Sequence, residues 1–156
     1  MSQPRWLDER EQCMWRTYRE MYRSLESALD RELTQDSGLS GADYAILVPL
    51  SESPDGALRS RELRGEMNWD RTRLAHQLRR MEERGLLVRE SCAEDARGMV
   101  ARLTPAGREV IEKAAPGHVA AVRRFFIDQL SPEELDTMRT VADKVLARLR
   151  EAETGQ

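Results

Sequence analysis

Apolar side chains recur at helical spacing along most of this chain. Leu7, Met14, Tyr18, Met21, Leu25, Leu29 and Leu33 fall on one stripe, which predicts a long amphipathic helix ending near Asp36-Ser37-Gly38. Ser40 is placed to cap a second helix, with Asp43 in its first turn and Tyr44, Leu47 and Val48 inward. Pro49 predicts a bend or an early end there, because an interior proline lacks a donor and crowds the preceding turn. Ser53-Pro54-Asp55-Gly56 reads as a turn.

Two short helical patterns follow. The first is capped by Ser60 and carries Leu63 and Met67; the second is capped by Asp70, carries Leu74, Leu78 and Met81, and closes at Gly85. Leu86-Leu87-Val88 and Met99–Leu103 are β-compatible and flank the polar stretch Ala93–Gly98, so a hairpin with a charged tip is expected. Thr104-Pro105 opens a further helix, which Pro116-Gly117 should kink or interrupt. Ser131-Pro132-Glu133-Glu134 starts the last one, with Leu135, Met138, Ala142, Val145 and Leu149 as its stripe. The fold expected is mainly α with a small β-hairpin wing: a winged helix-turn-helix over 57–104, flanked by long helices over 1–36 and 105–151, all in one domain of 156 residues. Terminal helices this thin cannot bury their stripes alone, which predicts pairing with a second copy.

Composition narrows the function. The 156 residues carry a net charge of −3, which by itself speaks against a nucleic-acid partner. Its distribution reverses that reading. Between Arg59 and Arg102 there are eleven arginines and eight acidic residues, whereas the rest of the chain holds fourteen basic and twenty acidic groups. An acidic body with a basic working end suits DNA binding. With Leu74, Leu78 and Met81 inward, Thr72, Arg73, His76, Arg79, Arg80 and Glu83 point outward or to the flanks and Gln77 lies at the edge. A helix in the major groove reads bases near its N-terminus. Thr72, Arg73, His76 and Gln77 are therefore the candidate readers, and Arg79 and Arg80 the candidate phosphate contacts. Arg97, at the expected hairpin tip, is a candidate for the minor groove, with Asp95 bracing the turn. A solvated helix face and an ordinary polar loop are the bland alternatives.

At these residues the chain resembles a known family. Leu74-x3-Leu78-x2-Met81-Glu82-x2-Gly85-Leu86-Leu87-x-Arg89, then Asp95-x-Arg97 and Leu103-Thr104-x2-Gly107, is similar to the MarR family of bacterial transcriptional regulators. The resemblance implies a homodimer with interlocked terminal helices and two winged helices on a pseudo-palindromic site of double-stranded DNA. It also implies Arg97 as the minor-groove residue, supported by Asp95, and frequent release of repression by small aromatic acids or phenols, thiol oxidation or zinc.

Candidate sensing residues are sparser. Trp15, Tyr18, Tyr22, Tyr44 and Trp69 could line an effector pocket, with Arg16 or Arg19 pairing a carboxylate; the competing reading is core or dimer seam. Cys13, between Arg10 and Arg16, is the candidate for a redox switch, and Cys92 carries no mark of one. The two cysteines lie far apart and read as free thiols. Two histidines and two cysteines scattered along the chain do not make a metal site, and no cofactor is expected. No nucleophile elbow, phosphate loop or paired-acid signature is present, so an enzyme is not expected. No apolar run approaches the ~20 residues of a membrane span and Met1–Trp6 is no signal peptide, so a cytoplasmic location without membrane contact is expected. An adaptor that keeps the winged-helix shape without binding DNA is the alternative from another functional class.

Overall fold

A computed structural model describes residues 4–92 and 95–155, and gives the backbone alone for Cys92 and 95–97. It contains α1 (Glu9–Ser37), α2 (Gly41–Glu52), β1 (Ala57–Arg59), α3 (Ser60–Met67), α4 (Arg71–Glu83), β2 (Leu87–Cys92), β3 (Asp95–Leu103), α5 (Pro105–Phe125), a short 3-10 turn (Ile127–Gln129) and α6 (Pro132–Thr154). The chain forms two compact units, Met1–Val119 and Ala120–Gln156.

Local chemistry sets most boundaries. Asp8, Ser40 and Ser131 each accept a backbone N–H three residues on, and Glu11, Asp43 and Glu134 return the bond in a capping box. Gly38 and Gly85 take the left-handed conformation after α1 and α4. Between α3 and α4 the left-handed residue is Asn68, a side chain that tolerates positive φ, and Asp70 then caps α4 through the Arg73 amide. The expected helix-turn-helix is thus built from one left-handed residue and one cap.

Three boundaries depart from the sequence reading. Arg59, not Ser60, is the N-cap of α3; the Ser60 hydroxyl instead donates to the Met99 carbonyl at 3.1 Å, tying α3 to the sheet. Pro49 does not end α2, because it stands in the last turn and the Ser53 amide still donates to its carbonyl. Pro116-Gly117 does not interrupt α5; both residues are exposed, so a carbonyl that loses its helical donor there is open to water.

The sheet is three-stranded, in the order β1-β3-β2, and antiparallel throughout. β1 pairs Ala57 with Arg102 and Arg59 with Val100. The strands of the hairpin run longer than expected, from Leu87 opposite Leu103 to Cys92 opposite Asp95, with an irregularity at Ser91 and Cys92. Residues 93–94 lie outside the described residues. Arg97 is consequently a residue of β3 and not of a tip, while its side chain, like those of Cys92 and Asp95, lies outside the description.

The first unit is packed by aliphatic residues from every one of its elements. Leu33, Ile46, Leu47, Leu50, Leu63, Leu74, Leu78, Met81, Leu87, Ala101 and Ile111 belong to one buried cluster. Where α5 leaves the sheet the backbones come very close: the Thr104 hydroxyl donates to the Gly85 carbonyl at 2.6 Å and accepts the Gly107 amide at 3.0 Å. A Cβ on Gly107 would collide with the Leu86 carbonyl and press on Leu103. In the second unit the Arg123 guanidinium meets Asp128 at 2.8 Å, and α6 presents Leu135, Met138, Val141, Val145, Leu146 and Leu149 exposed.

Gly107→Ala is expected to cost about 1–3 kcal/mol, the usual range for forcing atoms into a packed site. A urea unfolding midpoint equal to that of the parent chain would show that the α5 start yields without cost.

Candidate nucleic-acid interface

The rotation of α4 about its axis decides what it can offer a ligand, and one buried carboxylate sets that rotation. Asp43, 2% exposed, stands at the start of α2. Its Oδ1 accepts the Gln77 side-chain amide at 2.7 Å; its Oδ2 accepts the Ser40 amide at 2.9 Å and the Arg84 guanidinium at 2.7 Å. Arg84 also donates to the Gly38 carbonyl at 3.3 Å. At the far end, Glu82 accepts the Arg89 amide and guanidinium at 2.7 and 2.9 Å, fastening α4 to β2. Those bonds hold the Glu82 carboxyl below the usual range, the backbone amide contributing most.

With Leu74, Leu78 and Met81 buried, Thr72, His76, Arg79 and Glu83 form the exposed stripe of α4. Arg79 donates toward His76 Nδ1 at 3.2 Å and lies 4.0 Å from Glu83, so these three exposed groups support one another along the helix. Arg80 is exposed as well. Two expected readers are placed differently. Gln77 is half-buried and its amide is taken by Asp43, which removes it from the reading face. Arg73 lies on the flank, its guanidinium 4.1 Å above the Trp69 ring, and would have to leave that stack to reach a base.

Two clefts border the helix-turn-helix. One, of about 380 Å³, lies between α3, α4 and β3; Arg59, Arg61, Arg64 and Arg71 line it. The sequence reading considered the α4 wheel alone and missed them, although Arg61 and Arg64 share a face at i, i+3. The other, of about 1020 Å³, lies between α1, α2 and the α3–α4 turn, and Tyr22, Tyr44 and Trp69 line it together with Arg23, Glu26, Arg73 and His118. His118 packs against Tyr44 with ring centroids 4.2 Å apart, its buried Nδ1 has no hydrogen-bond partner among the described residues, and burial pushes its pKa down. Trp15, Tyr18 and Arg19 are not brought to this cleft. Trp15 and Tyr18 stack on each other at 5.8 Å on the exposed face of α1 instead, and Arg16 and Arg19 are exposed on the same helix. Cys13 is exposed and shares a shallow hollow with Asp8, Glu9 and Arg10. Among the described residues no three His, Cys, Asp or Glu gather where they could hold a metal ion. Nor is any described helix long and apolar enough to cross a membrane.

Known proteins are similar to this chain in sequence and fold. Residues 37–98 match the model of the MarR family. The chain is 43% identical to Sco3205, a MarR family transcriptional regulator from Streptomyces coelicolor solved in complex with DNA, over 92% of this chain and 90% of that one, with a TM-score of 0.88. The chain belongs to the MarR family. A second MarR family regulator from Streptomyces coelicolor, AbsC, is 45% identical over 98% of this chain and all of its own, at a TM-score of 0.85. An uncharacterized HTH-type transcriptional regulator of Bacillus subtilis (strain 168), YkoM, is 25% identical over 136 residues, covering 87% and 86% of the two chains. As a MarR family member the chain is a transcriptional regulator and not an enzyme, as the sequence reading expected.

Family membership gives the Asp43 network its consequence: it orients the helix of a regulator. Asp43→Ala leaves Gln77 and Arg84 without their acceptor. The expected loss is about 3 kcal/mol of unfolding free energy in urea. Gln77→Ala, which removes one neutral donor, should cost about 1 kcal/mol. Equal losses for the two variants would mean that the carboxylate is not the centre of the network.

Proposed function

We propose that this MarR family chain binds double-stranded DNA as a homodimer at a pseudo-palindromic operator and represses transcription in the cytoplasm. The observation that carries the proposal is the exposed stripe Thr72, His76 and Arg79, on a helix whose rotation is fixed from its buried side. A helix with side chains is about as wide as the major groove, and the N-terminal residues of such a helix meet base edges. Thr72 suits a thymine methyl, His76 reads at the next turn, and Arg79 and Arg80 engage phosphates. Arg97 and Asp95 keep the wing role that the sequence pattern gives them. The complex of Sco3205 with DNA supports the partner.

Dimerisation rests on apolar surface that a lone chain leaves in water. On α1 and just before it, Trp6, Leu7, Met14, Trp15, Tyr18 and Met21 are exposed, and so is the apolar stripe of α6. An isologous dimer buries these stripes and sets two α4 helices for half-sites about 34–36 Å apart. A small aromatic or phenolic effector is assigned to the cleft of Tyr22, Tyr44 and Trp69, where aromatic faces converge with a His118 Nδ1 that has no partner among the described residues. The redox alternative rests only on the exposure of Cys13, since its hollow holds two carboxylates beside one arginine.

Binding to the promoter region of its own gene should weaken steeply as salt rises, because each neutralised phosphate releases counterions. Absence of any salt-sensitive binding would favour the adaptor reading. The double variant Thr72→Ala/His76→Ala should lose about 1–3 kcal/mol on the cognate site and little on random duplex. For the effector, titration of the protein–DNA complex with phenol should release DNA from the parent chain and not from Tyr22→Ala. Equal release would remove the cleft from the scheme.

A further inference from the structure

His118, on α5, carries a buried polar atom that the fold leaves without a partner, and it stands at the aromatic cleft. Its ring lines that cleft with Tyr44 of α2, while its Nδ1 is sealed from solvent and has no hydrogen-bond partner among the described residues. The neutral ring tolerates this: it can keep its proton on Nε2 and leave Nδ1 as a bare lone pair. A second proton is another matter. Both nitrogens then donate, and a charged N–H stands without an acceptor against the Tyr44 ring, 4.2 Å away between centroids. The face of Tyr44 attracts a cation, but by less than a buried charged donor loses when it goes unpaired. Burial accordingly holds the His118 pKa below its ordinary value.

The charges around the ring decide where a protonated His118 goes. From α1, Glu26 and Asp30 line the cleft and Asp36 faces α5 at Gly117; Glu66 lines the cleft from α3. Glu26 accepts the Tyr22 hydroxyl and Asp30 the Gly41 amide, through one oxygen each. The cations of the cleft are Arg23 of α1 and Arg73, and Arg73 is held over Trp69. Three carboxylates against two guanidiniums favour one more cation in the cleft. We infer that His118 is a proton-operated gate on the aromatic cleft. When neutral it packs on Tyr44 and leaves the cleft to a phenol. When protonated it leaves Tyr44, turns toward the carboxylates and takes the ligand's place. Acid closes the cleft, and neutral pH opens it.

The inference rests on the effector reading of this cleft, and the test separates the two. Phenol binding to the chain without DNA is followed by titration calorimetry, from neutral pH down to the lowest pH at which near-ultraviolet circular dichroism shows the parent folded. Phenol stays neutral throughout, since a phenolic hydroxyl ionises only at about pH 10. The chain has two histidines, and the imidazole NMR signal lost in His118→Phe reports the His118 midpoint. Phe keeps a ring on Tyr44 and cannot titrate; His118→Gln serves as a second variant should Phe crowd the site. Parent affinity should be level above the midpoint and fall about tenfold per pH unit below it, with one proton released for each phenol bound there. By reciprocity, saturating phenol should move the midpoint lower. Both variants should bind phenol equally across the range. No phenol binding at any pH would sink the effector reading and the gate with it. Parent binding that ignores pH, a loss in acid shared by both variants, or a midpoint that phenol does not move would overturn the gate alone.

Discussion

The arrangement of this protein depends on a carboxylate that water barely reaches. Asp43 caps its own helix through Ser40 and receives one neutral and one charged donor from α4. A carboxylate buried without partners would cost several kcal/mol; with these donors its lone pairs are largely occupied. Arg84 remains 44% exposed, so the pair is only half withdrawn from solvent and its desolvation cost is moderated. Net stability is therefore not its main product. Gln77 and Arg84 lie seven positions apart on one flank of α4, and tethering both to one point leaves the helix no freedom to turn about its axis. The outward stripe follows from this, as does the Arg61–Arg64–Arg71 cleft on the opposite flank.

The sequence foretold those parts of the fold whose causes are local. Caps at Ser40, Asp70 and Ser131 and the helix stops at Gly38 and Gly85 are short-range chemistry, and all stand where the pattern put them. What escaped has its partner far along the chain. β1 is three residues with no alternation of its own and exists because β3 pairs with it. Ser60 looked like a cap because the same hydroxyl chemistry serves caps and cross-chain bonds, and its acceptor, Met99, lies 39 residues away. Gln77 sat at the edge of a helical wheel, and only the position of Asp43, 34 residues earlier, tells which side of that edge it takes. Pro49 and Pro116 were read as breaks from the donor they lack, but one stands in a last turn and the other on an exposed face.

The candidate site was legible in the same proportion. Periodicity alone placed Thr72, His76, Arg79 and Arg80 on the exposed side of α4, since an outward face is defined by what the inward face buries. It could not find the arginine cleft, because that surface belongs to the junction of two helices and a strand. It also could not separate Tyr22, Tyr44 and Trp69, which share a cleft, from Trp15 and Tyr18, which stack in the open. Aromatic residues at helical spacing look alike until the curvature of the neighbouring elements is known.

Resolving charge by partner sharpens the meaning of the basic excess between Arg59 and Arg102. Arg84, Arg89 and Arg102 act as internal ties, so their charge is largely spent on the frame. Of the remaining arginines, Arg61, Arg64 and Arg71 line a cleft on one flank of the helix-turn-helix. On its other flank, Arg73 is stacked on Trp69 beside the aromatic cleft. The α3–α4 pair is thus a wall with a cationic cleft on one side and an aromatic cleft on the other. A ligand that preferred one position of this wall would bias the geometry offered on both sides, because packed helices shift as units instead of deforming smoothly.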